Sequence, residues 1–466
     1  MTRNLSQLVV TPPHHAIATA TSPATTTTRP QENDHDHDHE DGDNPKPLRI
    51  DANLLIPGRG KPIPNASLIY HNAKILHVGP TPSLPKPYAS LSPSFTVPIL
   101  MPGLWDAHVH FFGEASPSLE NVAYTPPALA GLRAARDLVS LLDAGFTNVR
   151  EVGGYGVDVA RGVEEGWIPG PHIYAAGAPL SQTAGHGDLH TVPLSLMHDK
   201  MAAGMPLCLA DGVDEAIKGT RTQIRRGAKV IKICSTGGVM SRIDSPRAAQ
   251  FTNKELEAVV EEARRTGLVV ASHAHGTEGI LAAINAGVHT IEHGSYLTSS
   301  AIDLMVSKKI MLIATRTIIV NGVENPASMT PEAYKKLLEV ADSNRKSYEA
   351  AIKAGVKCAL GTDLGLSNAE LGFYHGMNGR EFGYAVDAGM SPLEAIEAGT
   401  ANGPDTLGPQ APKSGILKEG YDADFIALTK SPLEDIGVLA RPGEVSHVWK
   451  GGRLFKEPGR GVMAAF

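Results

Sequence analysis

Residues 102–110 read PGLWDAHVH, an apolar run that closes on two histidines one residue apart. Side chains alternate along a strand, so His108 and His110 project to the same side and both imidazoles can reach one metal. Downstream, short apolar runs and helical stretches take turns. Strand-like segments fall at Gly103–His110, Thr147–Val152, His172–Ala176, Lys229–Cys234, Val269–His273, Thr290–His293, Met311–Thr315 and Lys357–Asp363. Between them lie helical stretches such as 252–266, where Thr252 and Glu255 have capping-box spacing, and 331–354, with 391–402 after the last strand. Eight alternating units predict an α/β fold, a (β/α)8 TIM barrel whose active site sits at the C-terminal ends of the strands.

Outside this middle the pattern changes. Residues 48–101 form short β-rich runs punctuated by Gly and Pro, and DADFIAL (422–428) and VSHVWKGGRLF (445–455) answer them near the other end. A small β-sandwich domain built from both chain ends is expected, with 48–101 and 413–466 as its parts and 102–412 as the barrel. Residues 1–47 contain no Phe, Trp or Tyr and are rich in Thr, Pro, His and Asp. Such a segment cannot bury enough apolar surface to offset its ordering entropy, so a disordered tail is expected. Within it His35, His37 and His39 alternate with aspartates; a solvated polar tract and a metal-scavenging one are both open readings.

Composition narrows the class. With 466 residues, 42% of them hydrophobic, the chain has material for a large core, which excludes a small binding module or a wholly disordered protein. A net charge of -7 without any dense Lys/Arg run argues against nucleic acid. Cys208, Cys234 and Cys358 form no CxxC pair, which fits a reducing compartment. Neither a membrane-length apolar stretch nor a signal-peptide core is present, so a cytoplasmic protein is expected, with secretion left open.

The polar residues most costly to bury gather at the predicted strand ends. Lys232 lies in AKVIKI on strand four, His273 ends strand five, His293 in IEHGS ends strand six, and Asp363 in ALGTD ends strand eight. Counted from His110 at very roughly 35 residues per β/α unit, the separations are about three, one, one short and two units, as one ring of ligands requires. Singly, a strand-end histidine is more often a hydrogen-bonded core residue, and an aspartate in GTD a cap or turn. Four histidines, a lysine and an aspartate, all at strand ends, are hard to reconcile with coincidence. Lys232 is the most informative: an ammonium inside a barrel must shift far from its free pKa of about 10.4 or find a partner. A lysine so depressed can react with carbon dioxide, and the carbamate is an anionic, bidentate ligand suited to the space between two metals.

These segments resemble the amidohydrolase superfamily, and within it the binuclear members with a carboxylated lysine. The likeness rests on PGLWDAHVH, GAKVIKICSTGGVMS (227–241), ASHAHG (271–276), IEHGS (291–295), ALGTD (359–363) and GYDADFIAL (420–428), and spans about residues 48–456. SQTAGHGD (181–188), ADGVDE (210–215) and VSHVWKGGRLFK (445–456) extend it towards the fungal ochratoxinases and prolidase-like metallocarboxypeptidases. The resemblance implies that His108, His110 and Asp363 bind one divalent metal and His273 and His293 a second, with N6-carboxylated Lys232 between them. Imidazole and carboxylate ligands suit zinc, with manganese, iron and cobalt also compatible. It further implies a metal-activated water as nucleophile and Asp363 as its base.

His275 shares the parity of His273 and is the second candidate catalytic residue, positioned to hold a substrate carbonyl or carboxylate or to make an ordinary loop hydrogen bond. His186, in a Gly-flanked loop after strand three, is placed to fold over the site. Tyr155, Arg242, Tyr296 and Arg316 follow strands two, four, six and seven and are candidates to bind a substrate carboxylate. The expected function is hydrolysis of an amide to a C-terminal amino acid with a free carboxylate, on a small-molecule or dipeptide substrate, in a homo-oligomer and with neither nucleic acid nor membrane as partner. A cyclic amidase or deaminase of the same superfamily is the rival among enzymes. A non-catalytic scaffold would be expected to lack ligands, and all six candidates are present.

Overall fold

The computed structural model describes residues 46–465, so most of the tail, including His35, His37 and His39, lies outside the described residues. The chain opens with strands β1 (Leu48–Leu55), β2 (Ile63–His71), β3 (Lys74–Pro80) and β4 (Phe95–Pro102). Its middle carries β5 (Leu104–Glu114), β6 (Phe146–Gly154), β7 (His172–Ala175), β8 (Leu180–Ser181), β9 (Cys208–Leu209), β10 (Ile231–Cys234), β11 (Val270–Ala274), β12 (Thr290–His293), β13 (Met311–Ile313) and β14 (Leu364–Leu366). It closes with β15 (Phe425–Leu428), β16 (Val445–Lys450) and β17 (Arg453–Lys456).

Both chain ends enter one seven-stranded sheet, in the order β17-β16-β15-β4-β1-β2-β3. Hydrogen bonding makes it a single continuous sheet where a sandwich was expected. One set of its side chains, including Ile50, Leu68, Phe425 and Trp449, forms a separate apolar core. Ile99, Met101, Ile426 and Val448 instead join the main core of the middle region. The alternation of strand side chains thus lets one sheet supply both cores.

The middle is α/β with parallel sheets. One has the order β13-β12-β11-β10-β8-β9 and the other β14-β5-β6-β7. Backbone hydrogen bonds join them on both flanks: Lys229 N donates to Ala175 O at 2.8 Å, Leu312 N to Lys357 O at 3.0 Å, and Ala107 N to Leu360 O at 2.8 Å. The expected eighth strand, Lys357–Asp363, is therefore in place between its neighbours but forms only an isolated bridge at Cys358. Regular pairing resumes at β14. Asp363 stands in the left-handed region at φ 61°, which breaks the ladder just before that strand.

Helices cover these sheets for local reasons. Over Asn253–Arg265 the Thr252 side chain accepts from Glu255 N while Glu255 accepts from Thr252 N, a complete capping box. Leu256, Val259 and Ala263 recur on one face and are buried in the core. Pro331–Lys353 matches the expected long helix, whereas the helix expected over 391–402 spans Pro392–Ala398 and gives way to turns.

Candidate active site

Two groups of potential ligands lie at the C-terminal ends of the parallel strands. His108, His110 and Asp363 form one, and His273, His275 and His293 the other, the ligand atoms of each group lying within 4.8 Å of one another. In the first, Asp363 Oδ1 is 3.3 Å from His108 Nε2 and 3.0 Å from His110 Nε2. Asp106 sets this contact. Its carboxylate accepts from His108 N on β5 at 3.0 Å and from Thr362 N and Oγ1 at 3.1 and 2.6 Å, which ties the strand to the segment carrying Asp363.

Each imidazole has one nitrogen committed to the protein. His108 Nδ1 lies 2.7 Å from Glu292 Oε2, and His110 Nδ1 donates to Gly153 O at 2.8 Å. His273 Nε2 donates to Gly237 O at 3.1 Å, and His293 Nδ1 lies 2.8 Å from Thr315 Oγ1. The remaining nitrogen of each ring is left to coordinate, the arrangement by which outer partners fix the tautomer of metal-binding histidines. Burial pushes the His273 and His293 imidazoles well below the ordinary histidine range, which keeps them neutral, as a ligand must be. Burial alone would raise the Asp363 carboxyl, but His108, His110 and His293 outweigh it and hold it well below the usual range. His293, Thr315 and Asp363 all take positive φ, conformations that non-glycine residues keep only when the surroundings enforce them.

Lys232 is 3% exposed and lines the same cavity as His108, His110, His273, His293 and Asp363. Burial lowers its pKa, opposed by Glu292, Cys234 and Asp363, and so favours the amine that can add carbon dioxide. The rest of the lining is mostly apolar, with Phe112, Leu119, Leu207, Ile318, Met329 and Phe373. The donor set fits divalent cations: imidazoles each with one nitrogen left free, one ionised carboxylate, and a buried lysine that feels the charges of Glu292 and Asp363.

The amidohydrolase family matches residues 99–455. The chain belongs to the amidohydrolase family. It is 47% identical over 427 residues to ochratoxinase of Aspergillus niger, covering 88% of this chain and 87% of that protein. The crystal structure of A. niger ochratoxinase superposes with a TM-score of 0.82 at 45% identity, covering 90% of this chain and 97% of the other. A prolidase crystallised with N-methylphosphonate-L-proline follows at TM-score 0.80 and 30% identity, covering 88% of this chain and all (100%) of the other. This amidohydrolase is accordingly a hydrolase acting on amide bonds.

Several expected substrate contacts lie elsewhere in this amidohydrolase. His186 does line the cavity, its ring stacked on His273 at 4.1 Å between centroids. His275 does not: its Nδ1 pairs with Ser295 Oγ at 2.7 Å and its ring stacks on His293. It follows the last residue of β11, where strand alternation no longer governs direction. Tyr155 lines a different cleft with Asp158 and Arg226. Arg242 is drawn to Glu120 at 2.8 Å, and Tyr296 lies under Arg247, its hydroxyl donating to Glu339 O. Arg316 points at Asn344 Oδ1, 2.7 Å away, and Ala341 O. Among the described residues Lys232 is the one Lys or Arg that lines the cavity.

The sequence reading missed Arg150 and Glu292. Arg150 Nη2 donates to both carboxylate oxygens of Glu292 at 2.8 Å, and both side chains are fully buried. The signal was present in the charged residues of NVREV and IEHGS, but it could not show that the two meet across the interior or that Glu292 meets His108.

Proposed function

We propose that the chain is a binuclear, metal-dependent hydrolase that cleaves the amide to a C-terminal amino acid with a free carboxylate. It is of carboxypeptidase or dipeptidase type, with an ochratoxin-like amide of phenylalanine within its range. The observation that carries this reading is the single cavity lined by His108, His110, Lys232, His273, His293 and Asp363. The named activities of the relatives support the substrate class. The two parallel sheets are read as one (β/α)8 barrel over 102–412, its flanks joined by the backbone hydrogen bonds above. The terminal sheet, 48–101 with 413–466, is read as a second domain built from both chain ends. Free cysteines agree with a cytoplasmic setting, and family likeness with a homo-oligomer.

His108, His110 and Asp363 would hold one cation and His273 and His293 the other, with carboxylated Lys232 between them and zinc as the metal. When bound, such cations polarise a carbonyl and acidify water. The chain does the rest. Asp363, held ionised, accepts a proton and can return it to the leaving amine. Glu292 and the Gly153 carbonyl hold His108 and His110 in register, and the apolar lining excludes solvent and accommodates an apolar side chain.

A panel of ochratoxin A, Ala-Pro, an N-acyl phenylalanine and its C-terminal amide, given to zinc-loaded, bicarbonate-treated protein, tests the reading. Cleavage of the free acids and not of the amide is expected. No cleavage with two metals bound would contradict the substrate class and direct attention to cyclic amides and deamination substrates.

A further inference from the structure

The wall between the catalytic cavity and the cleft beside Tyr155 is thin. Among the described residues Leu207 alone lines both. The link between β7 and β8 also faces both ways, with Ala178 on the cleft and Pro179 on the cavity. The cavity holds about 140 Å³ and the cleft about 830 Å³, so more room lies behind Leu207 than in front of it. Leu207 is 8% exposed and packs in an apolar cluster separate from the main core. Phe112 and Leu119 join that cluster from the cavity side, and Met201, Met205 and Leu209 from the cleft side.

This wall reaches the histidines at the strand ends. Phe112 stacks on the His110 ring at 5.2 Å between centroids, so apolar surface runs from His110 through Phe112 to the cluster that holds Leu207. The other apolar lining, Ile318, Met329 and Phe373, packs with a different cluster. An amide carries one group on each side of its scissile bond, and the cavity offers two apolar walls of separate construction. The Leu207 wall can also repack locally. Strand β9 beside it is two residues long, and Met197, Met201 and Met205, flexible side chains that fill irregular space, share its cluster. A shorter residue at 207 would open apolar surface to a longer ligand, and a larger one would crowd the space in front.

We propose that Leu207 is a specificity-determining residue: its side chain closes one arm of the cavity and sets the length of the apolar group accepted on one side of the scissile amide. The proposal rests on the substrate reading above for its choice of compounds. Two series given to zinc-loaded, bicarbonate-treated full-length protein test it. N-acetyl-, N-hexanoyl- and N-decanoyl-phenylalanine lengthen the acyl group, while the N-acetyl derivatives of alanine, phenylalanine and biphenylalanine lengthen the amino-acid side chain. In one series Leu207→Ala should raise kcat/KM of the longest member over the shortest by about 10-fold or more, the scale for added methylenes in an apolar pocket. The ratio in the other series should not move. Leu207→Phe should shift the same ratio in the opposite direction. Lost packing alone would lower all substrates in common, so the ratio separates specificity from stability. A crystal structure of Leu207→Ala should show cavity and cleft as one continuous space. If Leu207→Ala does not fold, Leu207→Val, a smaller cut, should shift the ratio in the same direction. Unchanged ratios in the shortened variant and in Leu207→Phe, an equal shift in the two series, or a Leu207→Ala structure with the two spaces still separate would each overturn the proposal. If none of the compounds is cleaved, the substrate reading fails separately, and the same ratios taken from Kd in calorimetry decide the role of Leu207.

Discussion

The two histidine groups at the strand ends are held in different ways. His108 leans on Glu292, a fully buried anion that is itself paired with Arg150, and Asp363 adds a carboxylate to the group itself. His273, His275 and His293 rest on a backbone carbonyl and two hydroxyls, from Gly237, Ser295 and Thr315. On the proposed reading one group would meet a divalent cation with formal negative charge and the other with dipoles alone. The second would then depend on a Lys232 carbamate for its anionic ligand, while the first has its own.

Removing that lysine should have the largest effect. Lys232→Ala is expected to empty the second group before the first, so that metal analysis finds one or no ion per chain and turnover disappears. Near-normal activity would break the comparison. His110→Asn should likewise abolish turnover. Glu292→Gln attacks the opposite side and leaves the Arg150 charge buried without its partner. Urea unfolding should then register a loss of about 3–5 kcal/mol. Competition with a chelator should show the first group weakened roughly 10- to 100-fold. Equal weakening of both groups would erase the contrast.

Thr315→Val removes only a neutral support of His293 and should cost about 1 kcal/mol, confined to the second group. A separate effect belongs to pH. His375, whose Nε2 donates to His110 O at 3.2 Å, is held by burial at a pKa of about 4. An unfolded histidine titrates near 6.5, so between the two values the unfolded chain carries a proton that the folded one refuses. Its contribution to stability is whole above about 6.5 and drains as pH falls towards 4. Thermal melts of metal-free protein should show this limb, and His375→Gln should make it shallower, with the buried His273 and His293 carrying the remainder; an unchanged slope would remove His375 from the account.

Much of the candidate site's placement was legible because strand alternation and strand ends are local properties. PGLWDAHVH sets two imidazoles on one side wherever the strand lies, and ALGTD ends on a carboxylate whatever packs against it. The outer partners were not legible. Glu292 and His293 are neighbours, yet both reach the interior, because His293 adopts φ 69° and leaves the alternation that would separate them. Arg316 illustrates the same limit. It follows Thr315 at φ 52°, and the turn sends its guanidinium to Asn344 rather than towards the cavity. Where the chain leaves a strand, side-chain direction is set by tertiary contacts that a linear pattern does not encode. The terminal sheet drew on both kinds of information: its strands were readable at each end, but their union into one hydrogen-bonded sheet was a matter of register.

The central claim is that Lys232, as a carbamate, joins two metal-binding groups. Incubation of the chain with zinc and 13C-bicarbonate, followed by 13C NMR and metal analysis of the same sample, tests it most directly. The account predicts a carbamate resonance, absent in Lys232→Ala, together with two zinc ions per chain. Two ions without a carbamate, or a single ion with full amide hydrolysis, would contradict it.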